Sequence, residues 1–269
     1  MKGQIRLDKY LVEMGIGTRS QIKEAAKKGR IRIDGIVEKD TGRKLDPDQE
    51  QVTFDGEIVS YVRMEYYLLN KPCGVVSATE DKRYKTVIDL IDGKRRTDLF
   101  PVGRLDIDTE GLLLITNDGE LAHRLLSPKH HVDKQYYAIV KGDLPETAAE
   151  EFEKGIVLND GTVSMPARLE VISSKEGGFE EEKERLISSK ESCEEDHVQV
   201  LVALQEGKFH QVKRMFEALG CKVTYLKRLS MGPLVLDGQL KPGEYRKLTE
   251  EEINMLCEHG RIQGDERDR

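Results

Sequence analysis

A single carboxylate, Asp106, stands between an arginine and an apolar stretch in the segment Gly103–Leu112, which reads GRLDIDTEGL. Glycines near both ends, Gly103 and Gly111, permit unusual φ values and a close approach of other groups. Such a loop could hold an acid rigidly beside a substrate, where an ionised carboxylate acts as a nucleophile or a general base. Aspartate is also common in turns, so a purely structural role for Asp106 stays open on these residues alone.

Other kinds of site that use carboxylates or histidines fit this region less well. Asp106 and Asp108 begin like a calcium loop, but the twelfth position of that loop requires glutamate and holds Asn117 here. His130 and His131 are adjacent and would point apart on a strand, with no further cluster at metal-ligand spacing. A glycosidase needs two carboxylates that flank a sugar, which spacing alone does not establish. The sequence predicts no metal site and no cofactor.

The N-terminal part has the pattern of a small αβ module. Apolar residues at helical spacing predict a first helix over 6–14. Thr18 and Gln21 fit a capping box at the start of a second helix. Alternating apolar residues predict short strands at 31–35 and 52–56. Two helices and a few strands in so short a stretch indicate a separate module before the main domain.

Charge is distributed unevenly along a chain whose net charge is -7. Residues 1–44 carry twelve Lys and Arg against six Asp and Glu, whereas residues 173–197 carry four against nine. A basic module suits a polyanion such as RNA, although a solvated helix face is an equally simple explanation of the charge alone. The candidate RNA-binding residues of this module are Arg6, Lys9, Arg19, Lys23 and Lys27.

From residue 66 onward the pattern predicts an α+β fold, with a large mixed or antiparallel sheet interrupted by two helices. The expected domains are a module over 1–58, a linker over 59–65, a main domain over 66–258 and a disordered tail over 259–269. An acidic insertion is expected within the main domain at 173–197. No apolar run is long enough for a membrane span, and the four scattered cysteines read as reduced thiols, so a cytoplasmic location is expected.

Five motifs occur in an order that resembles the pseudouridine synthases of the RsuA type. Residues 5–57 are similar to an S4 RNA-binding domain. The decapeptide around Asp106 resembles the catalytic motif of the family. The other matching segments read NKPCG (70–74), DKQY (133–136), EGKFHQVKRMF (206–216) and KPGEYRKLT (241–249).

This resemblance implies an isomerisation of uridine to pseudouridine, without redox change, group donor or metal. It makes Asp106 the catalytic carboxylate, Tyr136 the active-site tyrosine and Lys213 the cation that favours the ionised aspartate. Arg104 would contact phosphate or hold the target nucleotide out of its stack, and Arg214 would contact RNA. A core position for Tyr136 and a surface ion pair for Arg104 stay open as structural alternatives.

Within the family, the segments SPKHHVDKQY and FHQVKRM look like those of the small-subunit enzyme. Large-subunit relatives more often have Asn-Arg where this chain has Phe209 and His210. The expected partner is therefore 16S ribosomal RNA, bound by a monomeric protein. Two alternatives are the same chemistry on 23S ribosomal RNA, and a non-catalytic S4-type protein that binds ribosomal RNA during assembly. The joint presence of Asp106, Tyr136 and Lys213 favours the enzyme.

Overall fold

A computed structural model describes residues 3–172 and 197–265. The chain forms two compact units, one of Met1–Glu65 with Ile91–Leu99 and the other of Tyr66–Leu90 with Phe100–Arg269. The predicted acidic insertion at 173–197 lies outside the described residues apart from His197. Within the described ranges, no helix is both long and apolar enough to cross a membrane.

The first unit contains short helices and strands, as its sequence pattern predicts. Its described elements are β1 (Ile5–Arg6), α1 (Leu7–Glu13), α2 (Arg19–Lys27), β2 (Ile31–Ile33), β3 (Ile36–Val37), β4 (Lys44–Leu45), β5 (Val52–Phe54) and β6 (Glu57–Ile58). Strands β3, β2, β5 and β6 form an antiparallel sheet in that order, while β1 pairs with β4.

The capping box that starts α2 is confirmed. Thr18 N donates to Gln21 Oε1 at 2.8 Å, and Gln21 N donates to Thr18 Oγ1 at 3.4 Å. These bonds satisfy two amides that the first helical turn leaves without partners. The helix buries Ile22, Ala25 and Ala26, which recur at i, i+3 and i+4, and so directs its cations to solvent.

Residues 91–99 complete the first unit although they lie far from it in sequence. The guanidinium of Arg96 is almost fully buried and pairs with Glu13 at 2.9 Å and Asp98 at 2.6 Å. Its Nη1 also donates to Val62 O at 2.9 Å. A buried guanidinium requires such partners, since an unpaired charge in the interior is costly. The sequence gives no local sign of this arrangement.

The second unit is built on one large sheet. Its described elements are β7 (Tyr66–Lys71), a 3-10 helix (Ile88–Leu90), β8 (Phe100–Pro101), β9 (Glu110–Thr116), α3 (Gly119–Leu126), a 3-10 helix (Pro128–His130), β10 (Lys134–Lys141), α4 (Ala148–Lys154), β11 (Arg168–Val171), β12 (His197–Leu204), α5 (Gln211–Ala218), β13 (Lys222–Met231), β14 (Leu234–Val235), β15 (Tyr245–Lys247) and α6 (Glu250–Asp265).

The sheet order is β11-β12-β10-β13-β9-β7-β15, with β14 paired to β13 and β8 to β9. Only β13 and β9 run parallel among the described strand pairs, so the sheet is mixed. Where these two strands meet, Gly111 faces Arg228, and a Cβ on Gly111 would lie 2.2 Å from the Arg228 carbonyl oxygen. A glycine is therefore required here for the two strands to pair.

The α+β class with a large mixed sheet is confirmed, and the strands predicted at 31–35 and 52–56 occur as β2 and β5. Helix α3 was not predicted, although Asp118 caps it by accepting a hydrogen bond from Leu121 N at 3.0 Å. Helix α6 continues to Asp265, past residue 259, where the sequence predicts a disordered tail to begin.

Candidate active site

The loop between β8 and β9 carries Asp106, and Lys71 holds this loop from the interior. Lys71 is fully buried at the end of β7. Its Nζ donates to the carbonyl oxygens of Asp106 at 3.0 Å, Thr109 at 2.8 Å and Pro72 at 3.1 Å. Three bonds from one ammonium fix the loop backbone at the aspartate and just after it, and tie it to the turn after β7, since charge-assisted hydrogen bonds are the strong ones.

Two further contacts tie the same loop to the turn that follows β7. Gly74 N donates to Ile107 O at 2.7 Å. Ser77 Oγ donates to Leu105 O at 2.9 Å and lies 3.1 Å from Leu105 N. The NKPCG motif and the residues after it therefore serve as the support of the Asp106 loop.

The carboxylate of Asp106 faces two cationic or potentially cationic side chains from α5 and its N-cap. Lys213 Nζ donates to Asp106 Oδ2 at 3.1 Å and to Asp108 Oδ1 at 2.6 Å. His210 Nε2 lies 3.5 Å from Asp106 Oδ1. The Asp106 side chain is 25% exposed and that of Lys213 is 17% exposed, so the pair is partly shielded but open to a ligand.

Lys213 and Asp108 stabilise each other's charge. Burial by itself lowers the pKa of Lys213, but its hydrogen bonds to Asp108 and Asp106 raise the pKa above its usual value. Burial likewise works against ionisation of Asp108, yet the hydrogen bond and charge of Lys213 hold the pKa of that carboxyl below its usual range. An ammonium thus stays charged at the site.

The segment before α5 is fixed by a buried amide. Gln211 Nε2 donates to Glu206 Oε1 at 2.5 Å, and Lys208 N donates to Gln211 Oε1 at 2.9 Å. The same Glu206 oxygen accepts from Met165 N at 2.7 Å. His210 then takes a left-handed conformation with φ 49°, which is uncommon for a residue other than glycine. These constraints place His210 and Lys213 opposite the Asp106 loop.

Tyr136 and Asp106 line the same small cavity of about 60 Å³, together with Arg104 and Thr109. Tyr136 lies on β10 and is 8% exposed, so it is a buried residue that lines this cavity. A larger cleft of about 1080 Å³ shares Asp106 and Arg104 with this cavity as lining residues. A planar ligand beside Asp106 would therefore meet an aromatic ring.

The predicted cations of this unit have different surroundings. Arg104 is exposed, borders both cavities and makes no ion pair with any residue that the structure describes. Arg214 pairs with Asp160 at 2.5 Å and borders neither cavity. The structure therefore brings Asp106, Tyr136, Lys213 and Arg104 together and leaves Arg214 outside this group.

The profile of the family described as RNA pseudouridylate synthase matches residues 65–218 of this chain. The chain belongs to this family. It is thus an isomerase of the pseudouridine synthase class, and a second match, to the S4 domain, covers residues 5–50.

Relatives that match over nearly their whole length agree with this family assignment. The synthase is 44% identical over 255 residues to a protein of Bacillus subtilis named uncharacterized RNA pseudouridine synthase YtzG, and the match covers 94% of this chain and 99% of the relative. It is 39% identical over 250 residues to ribosomal small subunit pseudouridine synthase A of Vibrio cholerae, covering 93% and 98% of the two chains. A crystal structure of a pseudouridylate synthase matches with a TM-score of 0.60 and 35% identity, over 94% and 99% of the chains.

The S4 domain of the synthase carries two kinds of cation. Arg6 pairs with Asp8 at 2.8 Å, and Lys9 lies 3.6 Å from Glu13. By contrast, three exposed cations recur every four residues along α2 and have no ion pair within residues 3–172 and 197–265; they are Arg19, Lys23 and Lys27. This spacing places them on one face of the helix, where a phosphate backbone could meet them.

Sequence reasoning did not assign roles to Lys71 and His210, although both belong to recognised motifs. The apolar strand before Lys71 predicts burial, and a buried lysine needs several acceptors. Thr109 was also missed: it is 2% exposed, borders the small cavity, and its Oγ1 has no hydrogen-bond partner among the residues described. No metal cluster of three or more His, Cys, Asp or Glu side chains occurs in that part of the chain.

Proposed function

We propose that this synthase converts a specific uridine of 16S ribosomal RNA to pseudouridine, with Asp106 as its catalytic carboxylate. The observation that carries the proposal is the hydrogen bond of 3.1 Å from Lys213 to Asp106, a carboxylate that lines one small cavity together with Tyr136. The relative from Vibrio cholerae, named as a small-subunit enzyme, supports the choice of ribosomal RNA.

The reaction moves the uracil without adding or removing atoms. The bond from N1 to C1′ breaks, the base turns over, C5 joins C1′, a proton leaves C5 and a proton is gained at N1. A carboxylate can begin this sequence by attack on the nucleoside or by proton abstraction. Lys213 holds Asp106 Oδ2, so the carboxylate is oriented before the substrate arrives and less of the binding free energy is needed for ordering.

The neighbouring groups take complementary roles. Tyr136 stacks on the uracil and keeps the detached base in the cavity while it turns. Arg104, exposed beside the cleft, contacts a phosphate or fills the space that the flipped nucleotide leaves. A target base inside a folded RNA must leave its stack to reach Asp106, so the enzyme needs such a group near the entrance.

RNA binding is divided between the two parts of the chain. The S4 domain, residues 1–58, anchors the RNA through the exposed cations of α2, and the catalytic domain spans residues 66–258. Asp106, Tyr136 and Lys213 all belong to one unit, so a monomer is sufficient for catalysis. The protein acts on ribosomal RNA in a ribosomal particle, and this substrate places it in the cytoplasm.

Mapping of pseudouridines in ribosomal RNA tests the proposal. RNA from cells that lack the gene is compared with RNA from cells that carry the wild-type gene or the Asp106→Asn variant. One 16S position should lose its modification in the deletion strain, regain it with the wild type and stay unmodified with the variant. Loss at a 23S position instead would keep the chemistry and change the substrate. Unchanged maps would favour a non-catalytic assembly protein.

A further inference from the structure

An aromatic ring with a large exposed surface stands at the border of the catalytic cleft. Phe209 is 72% exposed, and the cleft that it borders also includes Asp106 and Arg104. Its ring stacks on His210, with centroids 3.8 Å apart and an interplanar angle of 16°. A single exposed apolar residue is common on protein surfaces, but this ring borders the cleft that contains Asp106, where a bound RNA would cover it.

The position of Phe209 is fixed by the residues on either side. Lys208 N donates to Gln211 Oε1 at 2.9 Å, and Lys208 Nζ donates to Val163 O at 3.1 Å. On the other side, His210 has φ 49° and lies 3.5 Å from Asp106 Oδ1. Left-handed backbone at a residue other than glycine is held only where its surroundings enforce it, and it occurs often at functional sites. Phe209 is thus a pre-positioned platform.

The stacked pair connects the solvent edge of the cleft to the catalytic carboxylate. Phe209 contacts His210, and His210 contacts Asp106. A planar group on the exposed side of Phe209 would therefore lie close to, but outside, the cavity that takes the reacting base. The exposed guanidinium of Arg104, which borders the same cleft, adds a positive charge suited to phosphate.

We propose that Phe209 stacks with a nucleobase that adjoins the target uridine in the RNA. Flipping the target breaks its stacking with its neighbours, and an aromatic ring at the entrance can replace one of those stacking partners. Base–aromatic stacking tolerates every base because each has a π-face. The inference rests on the proposed function and adds a second base-binding subsite next to the cavity of Asp106 and Tyr136.

The first test measures single-turnover pseudouridine formation and RNA affinity with small-subunit particles from cells that lack the gene. Phe209→Ala should weaken RNA binding about ten-fold or lower kcat/KM by about the same factor, as expected when one base no longer stacks on an aromatic ring. Phe209→Tyr should stay near wild type. Phe209→Leu retains apolar bulk without a π-system and should resemble the alanine variant. The exposed position should leave thermal unfolding unchanged in all three variants, which controls for folding.

A second measurement separates stacking from electrostatic binding. Phe209 carries no charge, so the slope of log affinity against log salt should be the same in wild type and Phe209→Ala. Arg104→Gln, which removes a charge from the same cleft, should reduce that slope by about 0.7–0.9 for each phosphate that it no longer neutralises. A reduced slope in Phe209→Ala would contradict a stacking role.

Chemical probing of the RNA locates the subsite directly. In complexes of the Asp106→Asn protein, a base next to the mapped target should be protected, and addition of Phe209→Ala should remove that protection. Wild-type binding and turnover in Phe209→Ala would overturn the inference, as would full activity of Phe209→Leu, which would indicate apolar packing against a protein. If the wild type forms no pseudouridine, the proposed function fails, while the RNA affinities of the Phe209 variants still decide the stacking claim.

Discussion

Lys213 Nζ lies 3.1 Å from Asp106 Oδ2, although the two residues are 107 positions apart in the chain. The same ammonium lies 2.6 Å from Asp108 Oδ1, so it bridges two carboxylates of one loop. Asp108 is the more exposed partner, with 60% of its side chain accessible against 25% for Asp106. The partly shielded Asp106 is therefore the better candidate for catalysis, and Asp108 is the better candidate for holding Lys213 in place.

The variant Asp106→Asn should abolish isomerisation while RNA affinity changes little. The amide keeps the shape of the side chain but loses its negative charge and its nucleophilicity. Loss of a covalent or basic catalyst should lower the single-turnover rate by more than about a thousand-fold. One neutralised acid should not weaken binding to a polyanion.

The matched control for this variant is Asp108→Asn, which changes the neighbouring carboxylate in the same loop. It should retain measurable turnover, since Lys213 still contacts Asp106. Pseudouridine formation by Asp106→Asn at the wild-type rate would remove Asp106 from the mechanism.

Lys213→Met should lower the single-turnover rate by roughly 10²–10³-fold, as is typical when one pre-oriented electrostatic partner is removed. Lys213→Arg keeps the charge and should restore part of the rate. Arg214→Met is the natural comparison, because it removes the next cation on the same helix, whose guanidinium pairs with Asp160. Rates measured at saturating enzyme separate this effect from RNA binding.

Equal losses in Lys213→Met and Arg214→Met would contradict the assignment, because adjacent residues of an α-helix point about 100° apart. Of these two cations, the structure gives Lys213 access to Asp106 and pairs Arg214 with Asp160.

Much of the fold could be predicted from patterns among residues that are close together in the sequence. The capping box at Thr18 and the alternation in β2 depend on residues that are near each other in the chain, so periodicity and turn chemistry identify them. The choice of Lys213 over Arg214 came from a motif match, and the helical geometry around α5 gives it a physical reason.

Long-range interactions could not be read from such patterns. Arg96 joins Glu13 across 83 positions, and Lys71 reaches the Asp106 carbonyl across 35. Nothing in the residues next to Arg96 indicates that segment Ile91–Leu99 belongs with the N-terminal unit. Burial of a charged group is decided by the acceptors that the folded chain supplies, and these are distant in sequence.

Neutralising the cations of α2 should weaken RNA binding and flatten its salt dependence. The triple variant Arg19→Gln, Lys23→Gln, Lys27→Gln should reduce the log–log salt slope by about 0.7–0.9 for each phosphate that is left without its cation. All three side chains are exposed, so α2 should still fold. Substitution is preferable to deletion of the module, because deletion would remove Glu13 from the buried Arg96.

The control for this prediction is a double variant of paired cations, Lys28→Gln with Arg30→Gln. Lys28 pairs with Glu24 and Arg30 with Asp55, so these cations already have partners. Each should contribute less to the slope than a cation of the triple variant. A triple variant with the wild-type slope would show that α2 is not the RNA anchor.

Lys71→Met should lower both stability and turnover. Methionine fills similar space but leaves the buried carbonyl oxygen of Thr109 without its donor, which costs about 1–3 kcal/mol. It also removes one of the two hydrogen bonds to the Asp106 carbonyl, which then keeps only the bond from Thr109 N. The loop that carries Asp106 would lose its internal support, so the single-turnover rate should fall at saturating RNA. Urea unfolding and rapid-quench assays measure the two effects, and a stable variant with wild-type turnover would contradict the supporting role.

The stability difference between wild type and Lys71→Met should depend on pH in the alkaline range. Burial lowers the pKa of Lys71 from 10.5 to about 8, against the opposing influence of Cys73 and nearby carboxylates. Below about pH 8 the lysine is protonated in both folded and unfolded chains, so its contribution does not change with pH. Between about pH 8 and 10.5 the unfolded chain binds more protons than the folded one, and stability therefore rises with pH.

The difference in unfolding free energy between the wild type and Lys71→Met should therefore change by about 1–3 kcal/mol, in favour of the wild type, when the pH rises from 7.5 to 10.5. Subtracting the variant cancels the titration of all other groups, including Lys134, whose pKa burial also lowers to about 8. Lys213→Met supplies a control in which the difference from the wild type should stay nearly constant between pH 7.5 and pH 10.5. The pKa of Lys213 is raised, so its stabilisation is complete below its unfolded pKa and is lost as pH rises through the folded pKa. A Lys71 difference that stays constant from pH 7.5 to 10.5 would show that the carbonyl cage keeps this ammonium charged throughout.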